Sequence, residues 1–336
     1  MPARAAAVIG FGLLTLAACV ADGGVAPAPY SVSRAALSAH VDFLADDRLE
    51  GRLAGSAGDR IATRYIAGQF AEAGAVPLPG GISDQKVELE GGGTSRNVLA
   101  MVPGVLHPDE YVLYIAHHDG QGMGNDLCQR ADESDNICNS AVDNASGVAV
   151  LIELARRYAE QPAERSIIFL ASAAEEGGLW GAYAFTEDPP VPLSSIRAVL
   201  GLDTVAARGY TRDVVLLGAG LTDLGSMAEA AAVAEGRRLV RSPEADDFYD
   251  RSDHFAFAEA GVPAVMLTGL FAPANGGLAA TPYMTARYHS ASDEAGPGID
   301  WSGAQADAGL LYRFGRLIAN ADQAPKWQPT SPYQRP

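Results

Sequence analysis

Residues 166–178 read SIIFLASAAEEGG, an apolar run that ends in two adjacent carboxylates and a glycine turn. Ile167 to Leu170 is a short continuous apolar segment of the kind found in strands buried on both faces of a sheet. Small residues carry it on to Glu175 and Glu176. In open α/β sheets functional groups collect beyond the carboxyl ends of the strands, so a buried strand delivering two acids there has the form of an active site. An isolated Glu-Glu pair is more often a solvated turn, and the neighbouring segments decide between the two.

Upstream, Asn97 to Val102 and Tyr111 to Ile115 read as strands, and the second ends in Ala116-His117-His118-Asp119. Strand alternation puts His117 and Asp119 on one side, where Asp119 can brace the His117 imidazole, and turns His118 the other way. The stretch Asn139-Ser140-Ala141-Val142-Asp143-Asn144-Ala145-Ser146-Gly147 leads into an apolar helix from Val148 to Tyr158. Ser146 reads as its N-cap, which leaves Asp143 in a tight small-residue loop without a structural reason. Ala198 to Asp203 is another short strand closed by an acid. Tyr249-Asp250-Arg251-Ser252-Asp253-His254-Phe255 and Tyr288-His289-Ser290-Ala291-Ser292-Asp293-Glu294 follow as polar segments. Before all of these, apolar spacing predicts two helices, one from Ala35 to Leu44 and one carrying Ile61, Tyr65, Ile66 and Phe70. The glycine-rich link between them, Leu49 to Arg52 and Gly55 to Gly58, fits no phosphate-binding motif.

The 336 residues, 48% hydrophobic and 19% charged, suffice for one sizeable core with no staple. A net charge of −17 argues against nucleic acid, which requires a basic footprint. Residues 1–18 have the weakly basic head and short apolar core of a signal peptide, and Leu16-Ala17-Ala18-Cys19 resembles a bacterial lipobox. The expectation is an exported, periplasmic protein held to the outer membrane by a lipid on Cys19, with 19–30 as a flexible tether, 31–322 as one catalytic domain and 323–336 as a tail. An ordinary secretory signal is the alternative. In an exported chain the remaining cysteines, Cys128 and Cys138, are expected to pair at the rim of the site. A cysteine metal site is the rival, disfavoured because no histidine lies nearby.

Five segments thus offer His, Asp, Glu, Asp and His. Carboxylate and imidazole donors without thiolates suit zinc, with other divalent first-row metals possible at similar geometry. Two metals about 3.5–4 Å apart need one shared carboxylate and further ligands on each side, and an additional acid can take a proton from the attacking water. The order His-x-Asp, Asp-Asn-Ala-Ser-Gly, Glu-Glu-x-Gly, strand-Asp and Tyr-His, with the Arg-Ser-Asp-His segment, resembles the co-catalytic dizinc aminopeptidases that include the secreted bacterial aminopeptidases. The likeness runs from about Ala45 to Asp293.

That resemblance implies a three-layer αβα sandwich around a mixed, mostly parallel sheet, and two Zn2+ ions. Asp143 becomes the bridge, His117 and Asp203 complete one metal, and Glu176 and His289 complete the other. Glu175 becomes the general base. Tyr288 matches an oxyanion-binding tyrosine of some relatives, with Tyr249 as a second candidate, and Arg251 and Ser252 fall among the substrate contacts. Relatives often carry a cis peptide after the bridging aspartate, here Asp143-Asn144. Val142 and His118 depart from residues common in the family, Asp and Tyr, at positions that are not ligands. The implied activity is release of N-terminal residues from peptides. Carboxypeptidase or dipeptidase action, glutaminyl cyclisation with one zinc, and a non-catalytic lipid-anchored binding protein are the alternatives.

Overall fold

The computed structural model describes Met1 and residues 31–124, 128, 135–272 and 281–334. The signal segment beyond Met1, Cys19, the tether up to residue 30 and most of the loop before Cys138 lie outside the described residues. Among those described, no helix is long and apolar enough to cross a membrane.

The strands are β1 Asp84–Glu88, β2 Thr94–Val102, β3 His107–His117, β4 Gly122–Met123, β5 Ile137–Cys138, β6 Arg165–Ser172, β7 Ile196–Gly201, β8 Asp213–Leu217, β9 Arg238–Val240 and β10 Ala264–Thr268. The helices are α1 Arg34–Leu44, α2 Ala57–Glu72, α3 Ser146–Glu160, α4 Trp180–Glu187, α5 Gly225–Ala234, α6 Pro243–Asp246, α7 His254–Glu259, α8 Pro282–Ala286 and α9 Ser302–Ala319. Eight strands form one sheet in the order β1-β2-β6-β3-β7-β10-β8-β9, and β4 pairs with β5 in a separate ribbon. The centre, β6-β3-β7-β10, is parallel throughout. Antiparallel pairings join β1 to β2, β2 to β6 and β10 to β8. The mixed, mostly parallel sheet agrees with the expected fold.

Sequence pattern accounts for the layers. Every residue of β6 is buried, as a continuous apolar run between two helical layers requires. The first two turns of α3 are wholly buried and, Ser146 apart, carry no polar side chain, and the helix packs on α1, α2, α9 and the sheet. On the opposite face α4 packs on α7, and α7 on β7 and β10. Helix α9 comes close to the sheet at Gly315, where any β-carbon would collide with the Tyr114 hydroxyl. That hydroxyl donates to the Leu311 carbonyl at 2.7 Å and sits 3.1 Å from the Tyr158 hydroxyl.

Two expectations change here. The described residues after 322 pack on the domain where a tail was expected: Trp327 is buried, bridges to Thr222 and donates its indole N–H to the Gly261 carbonyl at 2.9 Å. The predicted N-cap Ser146 instead donates its hydroxyl to the Val142 carbonyl at 2.7 Å. Asn144 performs the capping, its Oδ1 accepting the Gly147 N–H at 3.0 Å.

Candidate metal centre

Three neighbouring parallel strands end at the same edge, and each delivers a chemical group. β3 ends on His117, in register with Ser172 at the end of β6, and β6 runs on to Glu175 and Glu176. β7, paired to the other side of β3, runs on to Asp203. The chain leaves β3 for β6 on one side through α3 and then crosses to β7 on the other, so β3 marks the switch point at which α/β sheets open a crevice. Asp143 enters from the loop before α3, and His289 from the loop after α8.

The two histidines face opposite oxygens of one carboxylate. His117 Nε2 lies 3.2 Å from Asp143 Oδ1, and His289 Nε2 lies 3.3 Å from Asp143 Oδ2. Around His117 Nε2, Asp203 Oδ1 stands at 3.8 Å and Glu175 Oε2 at 3.9 Å. Around His289 Nε2, Glu176 Oε2 stands at 3.4 Å. The donors fall into two clusters able to hold an ion each, His117 with Glu175 and Asp203, and Asp143 with Glu176 and His289. The five residues expected as ligands, and Glu175, are therefore together.

Local backbone is shaped for this placement. Ser140, Ala174, Thr204 and His289 all have φ between 49° and 56°, so each ligand-bearing loop holds a non-glycine residue in the left-handed region at or near its ligand. Each such residue costs on the order of 1–2 kcal/mol, which packing elsewhere must offset. The Asp143-Asn144 peptide is cis, as the resemblance implied.

Burial and excess acid dominate the electrostatics. Burial, with Asp203, Asp253 and Glu176 adding to it against the pull of His117, pushes Glu175 well above the usual carboxylate range. Glu176 is pushed up to about 8 by burial and by Asp143, with both histidines opposing. Burial works against a charged His117, yet Glu175, Asp119, Asp143 and Asp203 together raise it well above its ordinary value. Ionised together, these acids would carry more negative charge than two imidazoles balance, and a divalent cation would relieve the crowding that otherwise keeps protons on them. The buried Nδ1 and Nε2 of His117 and Oε1 of Glu176 make no hydrogen bond among the described residues. An imidazole Nε2 without a hydrogen bond facing the shared Asp143 carboxylate, and a buried carboxylate oxygen without one on Glu176, fit metal ligands better than a hydrogen-bonded core. The donor set accordingly fits zinc.

Supporting residues differ in part from expectation. Asp119 stays 3.7 Å from His117 Nδ1, and its oxygens instead accept the backbone N–H groups of Glu175 at 3.1 Å and Glu176 at 3.3 Å. It holds the acidic turn more firmly than it holds the imidazole. Tyr249 is a correction: its buried hydroxyl donates to the Ala264 carbonyl at 2.8 Å, and its ring borders a separate cleft with Asp246, Asp247 and Asp250. A hydroxyl committed to a strand carbonyl is not placed to meet substrate. Tyr288, Arg251 and Ser252 do line the cavity that opens beside Asp203. Tyr288 stacks on the His289 ring at 3.7 Å between centroids. The Cys128–Cys138 disulfide is present.

Sequence reasoning missed Asp293, which lies four residues after His289. Its carboxylate accepts the N–H groups of Val142 and Asp143 at 3.1 Å and the Tyr283 hydroxyl at 3.0 Å. Two acids close behind a histidine ligand were the available signal. Gln121, donating to Glu176 Oε2 at 3.2 Å, had none.

A mixed α/β sheet whose carboxyl edge carries two imidazole–carboxylate clusters joined by one aspartate defines a divalent-metal protein of hydrolase type. The chain belongs to peptidase family M28, whose sequence pattern matches residues 97–314. Among curated relatives, a probable zinc metalloprotease of Pyrenophora teres f. teres is 36% identical over 108 residues, 32% of this chain and 22% of that protein. Mouse aminopeptidase NAALADL1 is 38% identical over 101 residues, 28% of this chain and 11% of that protein. These matches span less than a quarter of either relative's length. The aminopeptidase from Aneurinibacillus sp. strain AM-1 shares the fold at a TM-score of 0.62 and 16% identity, over 86% of this chain and 95% of that one. A glutaminyl cyclase of Bacteroides thetaiotaomicron does so at 0.65 and 18%, over 85% and 98%.

Proposed function

We propose that the protein is a zinc-dependent peptidase working through two ions, and specifically an aminopeptidase. The observation that carries this is the Asp143 carboxylate, one oxygen towards each histidine, with a further acid on either side. His117, Asp203 and Asp143 would hold one ion and Asp143, Glu176 and His289 the other. Bound there, zinc polarises the scissile carbonyl and lowers the pKa of water. In this reading Glu175, though close enough to serve as a donor, stays outside the ligand set; ionised once the cations are bound, and 3.9 Å from His117 Nε2, it would accept a proton from water and return it to the leaving amine.

Substrate is placed by what surrounds the ions. Leu217, Phe248, Met266, Leu270, Phe271 and Met284 line a cavity of about 60 Å3 beside Asp203. At roughly 10–15 Å3 per water-sized group, it takes about four to six such groups, which accommodates a Leu or Met side chain. Asp203 in its lining, with the other acids of the centre beyond, would suit a free ammonium. Tyr288, which lines the same cavity, would donate towards the carbonyl oxygen. Arg251 lies over the Phe248 ring at 4.8 Å, at the cavity wall.

The test is zinc content together with release of amino acids from short peptides with free and blocked N-termini, for wild type and Glu175→Gln. Two ions per chain, turnover only of free N-termini, and a loss of about 10²–10⁴-fold in the variant support the proposal. Activity indifferent to blocking would point to a carboxypeptidase or endopeptidase, and one zinc with formation of pyroglutamate to a cyclase.

We further propose export and lipid anchoring at Cys19. The signal-like residues 1–18 and a disulfide suited to an oxidising compartment support it. Cys19→Ser should move the protein from the membrane to the soluble fraction, and an unchanged distribution would refute anchoring.

A further inference from the structure

Arg52 is fully buried, and among the described residues no carboxylate pairs with it directly. Its guanidinium donates instead to four carbonyls. Nε reaches His118 at 2.9 Å, Nη1 reaches Leu44 at 2.5 Å and Asn139 at 2.8 Å, and Nη2 reaches Ser140 at 3.0 Å. His118 follows the ligand His117 directly, and Asn139 and Ser140 stand four and three residues before Asp143. The carbonyl of Arg52 also accepts the Gly120 N–H at 3.3 Å, so the residue grips the end of β3 from both its ends.

The chain reaches this position through a strained turn. Glu50, Gly51 and Arg52 have φ of 49°, 68° and 51°, and a β-carbon on Gly51 would collide with the Cys138 and Gly122 carbonyls. Two non-glycine residues in the left-handed region cost on the order of 1–2 kcal/mol each, a local cost that the buried fork must offset. Burial lowers the guanidinium to about 10, with Asp119, Asp293, Asp143 and Asp59 opposing, so it remains charged at neutral pH.

We infer that Arg52 is a positioning residue of the metal centre, a buried cation that locks the His117 strand end to the loop carrying Asp143. Arg52 takes that loop by its carbonyls at 139 and 140, while Asp293 takes it by the N–H groups of Val142 and Asp143. A positive fork on one set of groups and a negative carboxylate on the other fix the loop between them. Only arginine offers a planar fork that serves three separate backbone segments at once, and a lysine ammonium, though charged, lacks that span.

The inference rests on the proposed metal centre, and the test separates the two. Wild type, Arg52→Lys and Arg52→Met are compared in the full chain by zinc affinity from chelator competition, by hydrogen exchange of amides 141–145, and by kinetics. Arg52→Met should bind zinc at least tenfold more weakly, exchange those amides at least tenfold faster relative to α9, and lose kcat with KM within twofold. Arg52→Lys should recover only part of each. Wild-type zinc affinity and loop exchange in Arg52→Met, with only the melting temperature lowered, would overturn the inference. Should Arg52→Met fail to fold, Arg52→Lys is judged by the same affinity and exchange readouts. A wild-type chain that takes up no zinc refutes the centre itself, and the exchange comparison still decides whether Arg52 holds the loop.

Discussion

His254 stands in the Arg-Ser-Asp-His segment beside the site, and its geometry sets a definite pH dependence of stability. The ring is fully buried, and neither nitrogen has a hydrogen-bond partner among the described residues. Burial drops its pKa from 6.5 to about 3, so the folded protein holds it neutral. Below pH 6.5 the unfolded chain takes up a proton that the folded chain refuses until about pH 3, so this stability is full above 6.5 and declines as pH falls. At pH 5.5, one unit below the unfolded value, the loss is RT ln 11, about 1.4 kcal/mol, and at pH 7.5 it is close to zero. That difference barely depends on the folded value, provided it stays well under 5. The assay is urea unfolding of metal-free wild type and His254→Leu at both pH values. Between pH 7.5 and 5.5, wild type should lose about 1.4 kcal/mol more than the variant, every other titrating group being common to both. Equal losses would show that His254 takes up its proton in the folded state, and the account of it as a neutral packing residue would fail.

Asp143→Asn removes one of the two oxygens that face the histidines. It should lower zinc content below two and reduce kcat/KM by about 10³-fold or more, read by metal analysis and peptide turnover. Met284→Trp should fill the apolar cavity and cut kcat/KM for Leu at least tenfold relative to Ala at the first substrate position, about 1.4 kcal/mol of discrimination. Away from the site, Asp307→Ala leaves the buried Arg237 without the carboxylate now 2.5 Å from it. The expected loss is about 3–5 kcal/mol in denaturant unfolding.

The residues proposed as ligands were legible in the chain as candidates because each sits where a local pattern ends. His117, Glu176 and Asp203 close apolar strands, Asp143 precedes an apolar helix, and His289 follows a tyrosine in a polar segment. Strand and helix periodicities report burial within a few residues, so the element carrying each ligand was legible with it. The role proposed for Glu175 came from the family resemblance of the Glu-Glu-x-Gly segment, since nothing local separates it from its neighbour Glu176.

What the sequence could not decide is which atoms meet across distant segments. Asp143 presents a different oxygen to each of two histidines 26 residues before and 146 residues after it, a fact only the folded sheet edge creates. Tyr249 looked available for substrate until packing gave its hydroxyl the Ala264 carbonyl. Asp119 sits two residues from His117, yet the turn after β6 takes its oxygens. Arg52 and Asp293 meet the same loop from opposite ends of the chain, and composition or spacing reports nothing of the backbone groups they bind. Local sequence therefore determined the chemistry on offer, because side-chain type and periodicity are short-range properties. The tertiary structure decided the partners, because buried hydrogen-bond donors and acceptors are satisfied by whatever the fold brings within about 3 Å.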